Sequence, residues 1–235
     1  MENLDVMQYA VRYNAFLYSQ IESAAANLPR DAVCLDHGAG TGRFLSMAKA
    51  IFGKMYAVEI DANYMNELSV LGAVVTNNLS NIPDNSIDVA WSFNVLEHIE
   101  DDQQTLQQLV RVLKPGGRLV VFVPAFDCIF SKMDERVGHL RRYTLDDLFR
   151  KAMIAGAFVE SARYVDSLGF LAAWLYRKTG GTGSLTASSI KLYDGMVFPL
   201  SQKLDLLTSC CFGKNVLLHA TKHCHRTMQL KERGD

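Results

Sequence analysis

The chain has 235 residues, 49% of them hydrophobic and 21% charged, with 16 glycines and 5 prolines. That composition excludes collagen-like, low-complexity and largely disordered proteins. Twenty-four Lys and Arg against 25 Asp and Glu leave a net charge of −1, which argues against nucleic-acid binders, whose affinity rests on a basic excess.

The five cysteines are Cys34, Cys128, Cys210, Cys211 and Cys224, with no CxxC among them. Neither a disulfide framework nor a structural zinc site is expected, and a reducing, cytoplasmic compartment fits the pattern. Acids at Glu2 and Asp5 stand where a signal peptide carries cations. The longest apolar run, Gly169–Tyr176, falls short of the roughly 20 residues a membrane span needs.

From Met1 to Leu28 the chain reads as a helical preface. Short β-branched runs then alternate with amphipathic segments. Strands are predicted at Val33–Asp36, Met55–Ile60, Ala73–Thr76, Ile87–Phe93 and Arg118–Val123, with helices at Arg43–Phe52, Ala62–Leu71 and Asp101–Leu113. Lys114-Pro115-Gly116-Gly117 stops the last of these. Thr144 is a good N-cap for a helix over Leu145–Ala155. The stretch Leu168–Phe212, rich in Phe170, Trp174, Tyr176, Tyr193, Met196 and Phe198, reads as a helical insertion with a Gly180–Ser184 turn, before a last strand at Val216–Ala220. Alternation of this kind predicts an α/β fold, a parallel sheet covered on both sides. Ligands of such sheets bind beyond the carboxyl ends of the strands, at the switch point. One domain over residues 1–235 is expected, divided into a lid (1–28), a cofactor-binding core (29–166), the insertion (167–213), the last strand (214–222) and a polar tail (223–235).

The first βα turn reads Asp36-His37-Gly38-Ala39-Gly40-Thr41-Gly42. It departs from the dinucleotide fingerprint G-x-G-x-x-G, because its third glycine comes one residue early, and it lacks the GK[ST] of a phosphate-binding loop. Glu59 lies 21 positions after Gly38, at the tip of the second strand, where a carboxylate accepts from ribose hydroxyls. Together the two features point to a ligand with a ribose and without a pyrophosphate.

These residues resemble a family. Val33–Gly42, Val58-Glu59-Ile60-Asp61, Ile82–Asp88, Asn94-Val95-Leu96-Glu97-His98-Ile99 and Arg111–Gly117 are similar to the motifs of class I S-adenosylmethionine-dependent methyltransferases. The resemblance implies a Rossmann-like, doubly wound, seven-stranded and mostly parallel sheet, with S-adenosylmethionine as cofactor, S-adenosylhomocysteine as product and no metal. Carried over by position, it implies that Asp36, Gly38, Ala39, Gly40 and Gly42 cradle the methionine moiety. Glu59 would bind both ribose hydroxyls, Ile60 and Leu79 the adenine, and Asn78 the adenine amine. Asn94 would lie near the amino group and sulfonium. On the N-terminal helix Arg12 or Tyr13 is placed to touch the cofactor's carboxylate, the alternative being a helix that simply packs on the sheet.

A narrower similarity, to a bacterial type 11/12-like subgroup, rests on D-x-x-x-G-H-x-R-R-Y, here Asp134 through Gly138-His139-Leu140-Arg141-Arg142-Tyr143. A hydroxyl acceptor needs a proton acceptor, and His is the side chain nearest neutrality. His139 is the leading candidate base, with Asp134 to orient it and His98 as competitor. Arg141, Arg142, Tyr143 and Trp174 are candidate substrate ligands. The alternatives are ion pairs of Arg141 or Arg142 with Asp146 or Asp147, and Tyr143 as a mere staple of the following helix. His223-Cys224-His225 lacks metal-ligand spacing. The expected activity is methyl transfer to a hydroxyl of a small molecule, with N-methylation and non-catalytic cofactor binding as alternatives. The insertion is expected to be a substrate lid or homodimer surface.

Overall fold

Seven strands form one sheet in the order β3-β2-β1-β4-β5-β7-β6, in a computed structural model that describes residues 8–178 and 186–223. They are β1 (Val33–His37), β2 (Lys54–Val58), β3 (Val74–Thr76), β4 (Ile87–Phe93), β5 (Leu113–Pro124), β6 (Ala157–Val165) and β7 (Asn215–Lys222). The first five pair in parallel, and β7 runs antiparallel to both β5 and β6. Because β1 pairs with β2 on one side and β4 on the other, the strand order reverses at β1, which makes the carboxyl ends of β1 and β4 the switch point.

The hydrophobicity of the central strands follows from burial on both faces. Successive side chains of β5 alternate between two cores: Val121 and Val123 join Leu35, Leu109 and Leu148 on one side, while Val120 and Phe122 join Leu17, Leu45 and Trp91 on the other. Asp61, Asp101 and Thr144 cap the helices Ala62–Val70, Asp102–Val112 and Leu145–Ile154 through side-chain oxygens.

Two strands differ from the sequence expectation. β5 starts at Leu113, where it pairs with Ile87 across an irregularity before the Val89–Arg118 pair, so Lys114–Gly117 lies within a bulged strand. β6 was not anticipated as a strand. It is an edge strand with a register shift between Val159 and Ser161, and the polar Glu160 and Ser161 there blur the alternation.

The insertion is helical over Ser167–Lys178, Ala187–Leu192 and Phe198–Thr208. Asp205 accepts the backbone N–H groups of Asp166 and Ser167 at 2.8 and 2.9 Å. Asp194 accepts those of Arg12 and Tyr13, both at 2.8 Å, at the start of the helix Val11–Ala25. The insertion is thereby tied to the N-terminal helix. Residues Met1–Met7, the Gly180–Ser184 turn, and Cys224 and His225 lie outside the described residues; His223 packs its ring against Phe158. Cys34, Cys128, Cys210 and Cys211 are free. Among the described residues no helix is long and apolar enough to cross a membrane.

Candidate active site at the carboxyl edge of the sheet

Gly38, Gly40 and Gly42 all take positive φ (78°, 51° and 73°), a conformation open to glycine at little cost. A Cβ on Gly38 would collide with Val95 Cγ2, and one on Gly42 would meet Leu71 and Leu68. The first βα turn therefore presents bare backbone beside the end of β1.

Asp36 is buried at the tip of β1, and among the described residues its Oδ2 has no hydrogen-bond partner. Burial pushes its carboxyl up to about 7; the Trp91 indole opposes this and the Glu59 charge adds to it. Glu59, also buried, takes Gly40 N–H on Oε2 at 2.7 Å, and the N–H groups of Ile60 and Asp61 on Oε1 at 2.7 and 2.9 Å. A carboxylate has about four lone-pair sites, so one remains for a ligand hydroxyl. For Glu59 to bind both ribose hydroxyls, one amide, such as that of Gly40, would give way to the second. Ile60, 85% exposed, offers an open apolar face just beyond.

Asn78 Oδ1 is engaged by Ser80 N–H at 2.9 Å as the cap of the turn Leu79–Asn81. Leu79 sends its side chain into the core, which leaves only its backbone for a base. Asn94 has φ +54° at the end of β4. Burial raises the pKa of the Tyr13 phenol, and Asn94 works against that shift. The Tyr13 ring stands edge-on to Phe122 and Phe198. His37, unassigned from sequence, is a buried core histidine whose Nδ1 meets Ser92 Oγ at 3.0 Å, and burial lowers its pKa to about 4.

The second half of the site lies beyond β4 and β5. Gly138 (φ +79°) ends the helix Lys132–Val137 in the left-handed region. The chain is held there by Leu140 N–H donating to Glu97 O at 2.8 Å, and by His98 Nδ1 with Gly138 O at 3.2 Å. His139 thus faces His98, with ring centroids 4.7 Å apart. Its Nδ1 lies 2.8 Å from Asp134 Oδ1, and its Nε2 lies 3.7 Å from Glu97 Oε1. Burial works against ionisation of Asp134, but the His139 hydrogen bond and Arg142 outweigh it and hold the carboxyl down at about 2. Burial drives Glu97 the other way, up to about 8. The His98 pKa is lowered by burial and by the charge of His139. Sequence reasoning did not single out Glu97; nothing local signals that a Glu in a short turn is fully enclosed.

Three expected substrate ligands are instead committed to the protein. Arg142 donates from Nε to Asp134 Oδ1 at 2.9 Å and from Nη1 to Ala125 O at 3.0 Å, and its side chain is only 8% exposed. Arg141 reaches Glu100 O at 3.0 Å and Asp102 Oδ1 at 3.3 Å. Tyr143 is buried and donates to Asp102 Oδ2 at 2.7 Å. The acid partners are Asp134 and Asp102, neither of the helix acids suggested by spacing. Trp174, 42% exposed, lies under Lys178 Nζ at 4.3 Å.

The residues at the glycine turn fit a ribose-bearing sulfonium cofactor. They offer an orphaned buried carboxylate oxygen at Asp36, a cradle a Cβ would fill, and a residual acceptor on Glu59.

Comparison with known proteins agrees with this geometry. A probable S-adenosylmethionine-dependent methyltransferase of Mycobacterium tuberculosis is 27% identical over 167 residues, covering 68% of this chain and 59% of that protein. The chain thus spans about three fifths of the length of the mycobacterial relatives it matches. The fold is shared with geranyl diphosphate C-methyltransferase of Streptomyces coelicolor, solved with Mg2+, geranyl diphosphate and S-adenosyl-L-homocysteine (TM-score 0.62, 16% identity, 89% and 79% of the two chains). It is shared equally with the [4+2]-cyclase SpnF (TM-score 0.58, 18% identity, 88% and 80%). From β1 through β5, residues 35–121 match the methyltransferase domain family.

Proposed function

We propose that the chain transfers the methyl group of S-adenosylmethionine to a hydroxyl of a small molecule, with His139 as the proton acceptor. The observation that carries this reading is an imidazole at the carboxyl edge of the sheet whose Nδ1 is fixed by the buried Asp134. When bound, the cofactor supplies an electrophilic methyl on a sulfonium. Gly38–Gly42 and Asp36 would hold its methionine moiety, Glu59 one ribose hydroxyl, Ile60 the adenine, and Asn94 with Tyr13 the end near the sulfonium.

Proximity of acceptor and methyl can contribute up to about 7–11 kcal/mol to a displacement of this kind. His139 Nε2 would take the hydroxyl proton as the acceptor oxygen receives the methyl that the bound sulfonium would supply. Asp134 keeps Nδ1 protonated, so Nε2 presents its lone pair, and the same carboxylate stabilises the imidazolium that results. The even charge balance of the chain and the commitment of Arg141 and Arg142 to internal partners support a small acceptor over a polyanion.

The test is a screen of hydroxyl and amine acceptors with isotope-labelled methyl donor, repeated with His139→Ala. The expected result is labelled ether product, lost in the variant at unchanged cofactor affinity. An active variant rejects His139 as base, and labelled amines alone reject the hydroxyl acceptor.

A further inference from the structure

We propose that Glu97, His98 and His139 form a binding site for a first-row divalent metal ion. Each of the three offers one ligand atom, and these atoms lie within 4.8 Å of one another. Glu97 is the central observation: its side chain is 0% exposed, and among the described residues neither carboxylate oxygen has a hydrogen-bond donor. Buried polar atoms are paired in all but a few instances, and a bare buried carboxylate is costly. Here one of its oxygens faces His139 Nε2 at 3.7 Å, closer to a position shared through an ion than to a hydrogen bond.

The hydrogen bonds of the two imidazoles fit ligation through Nε2. His98 Nδ1 lies 3.2 Å from the Gly138 carbonyl, and His139 Nδ1 lies 2.8 Å from Asp134 Oδ1. A carbonyl and a carboxylate only accept, so their presence assigns the proton to Nδ1 in both rings and leaves each Nε2 lone pair free. An imidazole whose far nitrogen donates to a carboxylate or carbonyl is the usual outer-shell arrangement of metal-bound histidine. Two imidazoles with one carboxylate suit Zn2+, Fe2+, Mn2+ or Co2+ rather than the all-oxygen sites of Ca2+ and Mg2+. His98 is exposed, which leaves one side of the cluster open to an ion and a further ligand.

The chemical role of the site, unlike its existence, rests on the methyl-transfer reading. An ion there would lower the pKa of an acceptor hydroxyl that reached the open position. With the ion bound, His139 Nε2 would be a ligand and no longer the proton acceptor of the metal-free reading. Glu97 and the two imidazoles would hold the ion, water would take the proton of the hydroxyl the ion binds, and the resulting oxygen would then accept the methyl as the sulfonium gives up its C–S bond, with the ion unchanged.

The experiment uses the full chain, treated with chelator and titrated with Mn2+ by electron paramagnetic resonance and with Zn2+ by calorimetry. Circular dichroism confirms that each variant is folded. One ion per chain is expected. Glu97→Gln and His98→Ala should each weaken binding about tenfold or more, and Asp134→Asn, which touches no ion, about tenfold to a hundredfold. No saturable binding, the outcome if Glu97 simply holds a proton, overturns the site, as does affinity that Glu97→Gln leaves unchanged. S-adenosylhomocysteine is titrated into the same metal-free protein. Cofactor binding without metal binding overturns this site alone. Metal binding without cofactor binding overturns the methyl-transfer reading and leaves the site standing.

Discussion

Asp134 Oδ1 lies 2.8 Å from His139 Nδ1, and the same oxygen accepts from Arg142 Nε at 2.9 Å. Its Oδ2 closes a capping box with Ser131 at the start of the helix Lys132–Val137. One carboxylate thus orients the candidate base, neutralises a nearly buried guanidinium and fixes a helix terminus. Asp134→Asn should therefore act on stability as well as on turnover. Removing one partner of a buried ion pair costs about 3–5 kcal/mol, and denaturant unfolding reads this directly. The kcat should fall while the KM for the cofactor stays near that of the parent. Unchanged stability would show that Arg142 has an alternative partner.

Glu59 is predicted to tolerate no replacement, not even an isosteric one. Its three backbone donors approach both oxygens. Glu59→Gln turns one oxygen into an N–H donor opposite another donor, at Gly40 or at Ile60 and Asp61. Hydrogen bonds to a charged group are worth about 1.5–3 kcal/mol, so calorimetry should show S-adenosylhomocysteine binding weakened about tenfold to a hundredfold in Glu59→Gln. Parent-like affinity in Glu59→Ala would remove the ribose role altogether.

Gly38 and Val95 give a double-mutant cycle. Gly38→Ala places a Cβ against Val95 Cγ2 and also holds an L-residue at φ +78°. The second cost, about 1–2 kcal/mol, does not depend on Val95. Val95→Ala should rescue the steric part only, giving a non-additive pair in thermal or denaturant unfolding. Full additivity would mean that the loop moves away from Val95 without strain.

The neighbours Asp36 and His37 impose opposite pH dependences. Burial raises Asp36 to about 7 and lowers His37 to about 4. Between pH 4 and 6.5 the folded chain holds a proton on Asp36 that the unfolded chain releases, so this residue makes stability fall as pH rises. Over the same window the unfolded chain holds a proton on His37 that the folded chain lacks, so His37 makes stability rise with pH. The two slopes, each up to about 1.4 kcal/mol per pH unit, nearly cancel. Relative to the parent, Asp36→Asn should gain stability as pH rises from 4 to 6.5, and His37→Gln should lose it. Parallel curves for parent and variants would show that neither residue titrates differently on folding.

The glycine turn was legible because its signal is local: glycines at fixed offsets are what positive φ at Gly38, Gly40 and Gly42 demands. Most strands were legible because burial on both faces writes an unbroken apolar run. The edge strand β6, with one neighbour and exposed polar residues, writes no such run. The roles of Arg141 and Tyr143 were illegible for a different reason. Their partner, Asp102, is about forty positions away in sequence, and a charged motif looks the same whether it binds a ligand or the protein's own carboxylate. Glu97 shows the converse case, a polar residue in a turn that only the packed fold encloses.

The insertion and the N-terminal helix should be coupled through Asp194. Ala10, at the cap position of the helix Val11–Ala25, supplies no side-chain acceptor. The buried Asp194 does so from the insertion, on the N–H groups of Arg12 and Tyr13. It also places a negative charge at the positive end of that helix. Asp194→Ala should cost about 1–2 kcal/mol, as the loss of a cap does, and leave two part-buried donors unpaired. Tyr13 would then lose its backbone anchor, and with it the fixed position of its ring against Phe198. Hydrogen exchange should accelerate together in residues 11–17 and 187–208, and S-adenosylhomocysteine affinity should fall although Asp194 is not among the residues assigned to the cofactor. Faster exchange confined to residues 187–208, with affinity unchanged, would show that the insertion folds on the sheet independently of the helix it caps.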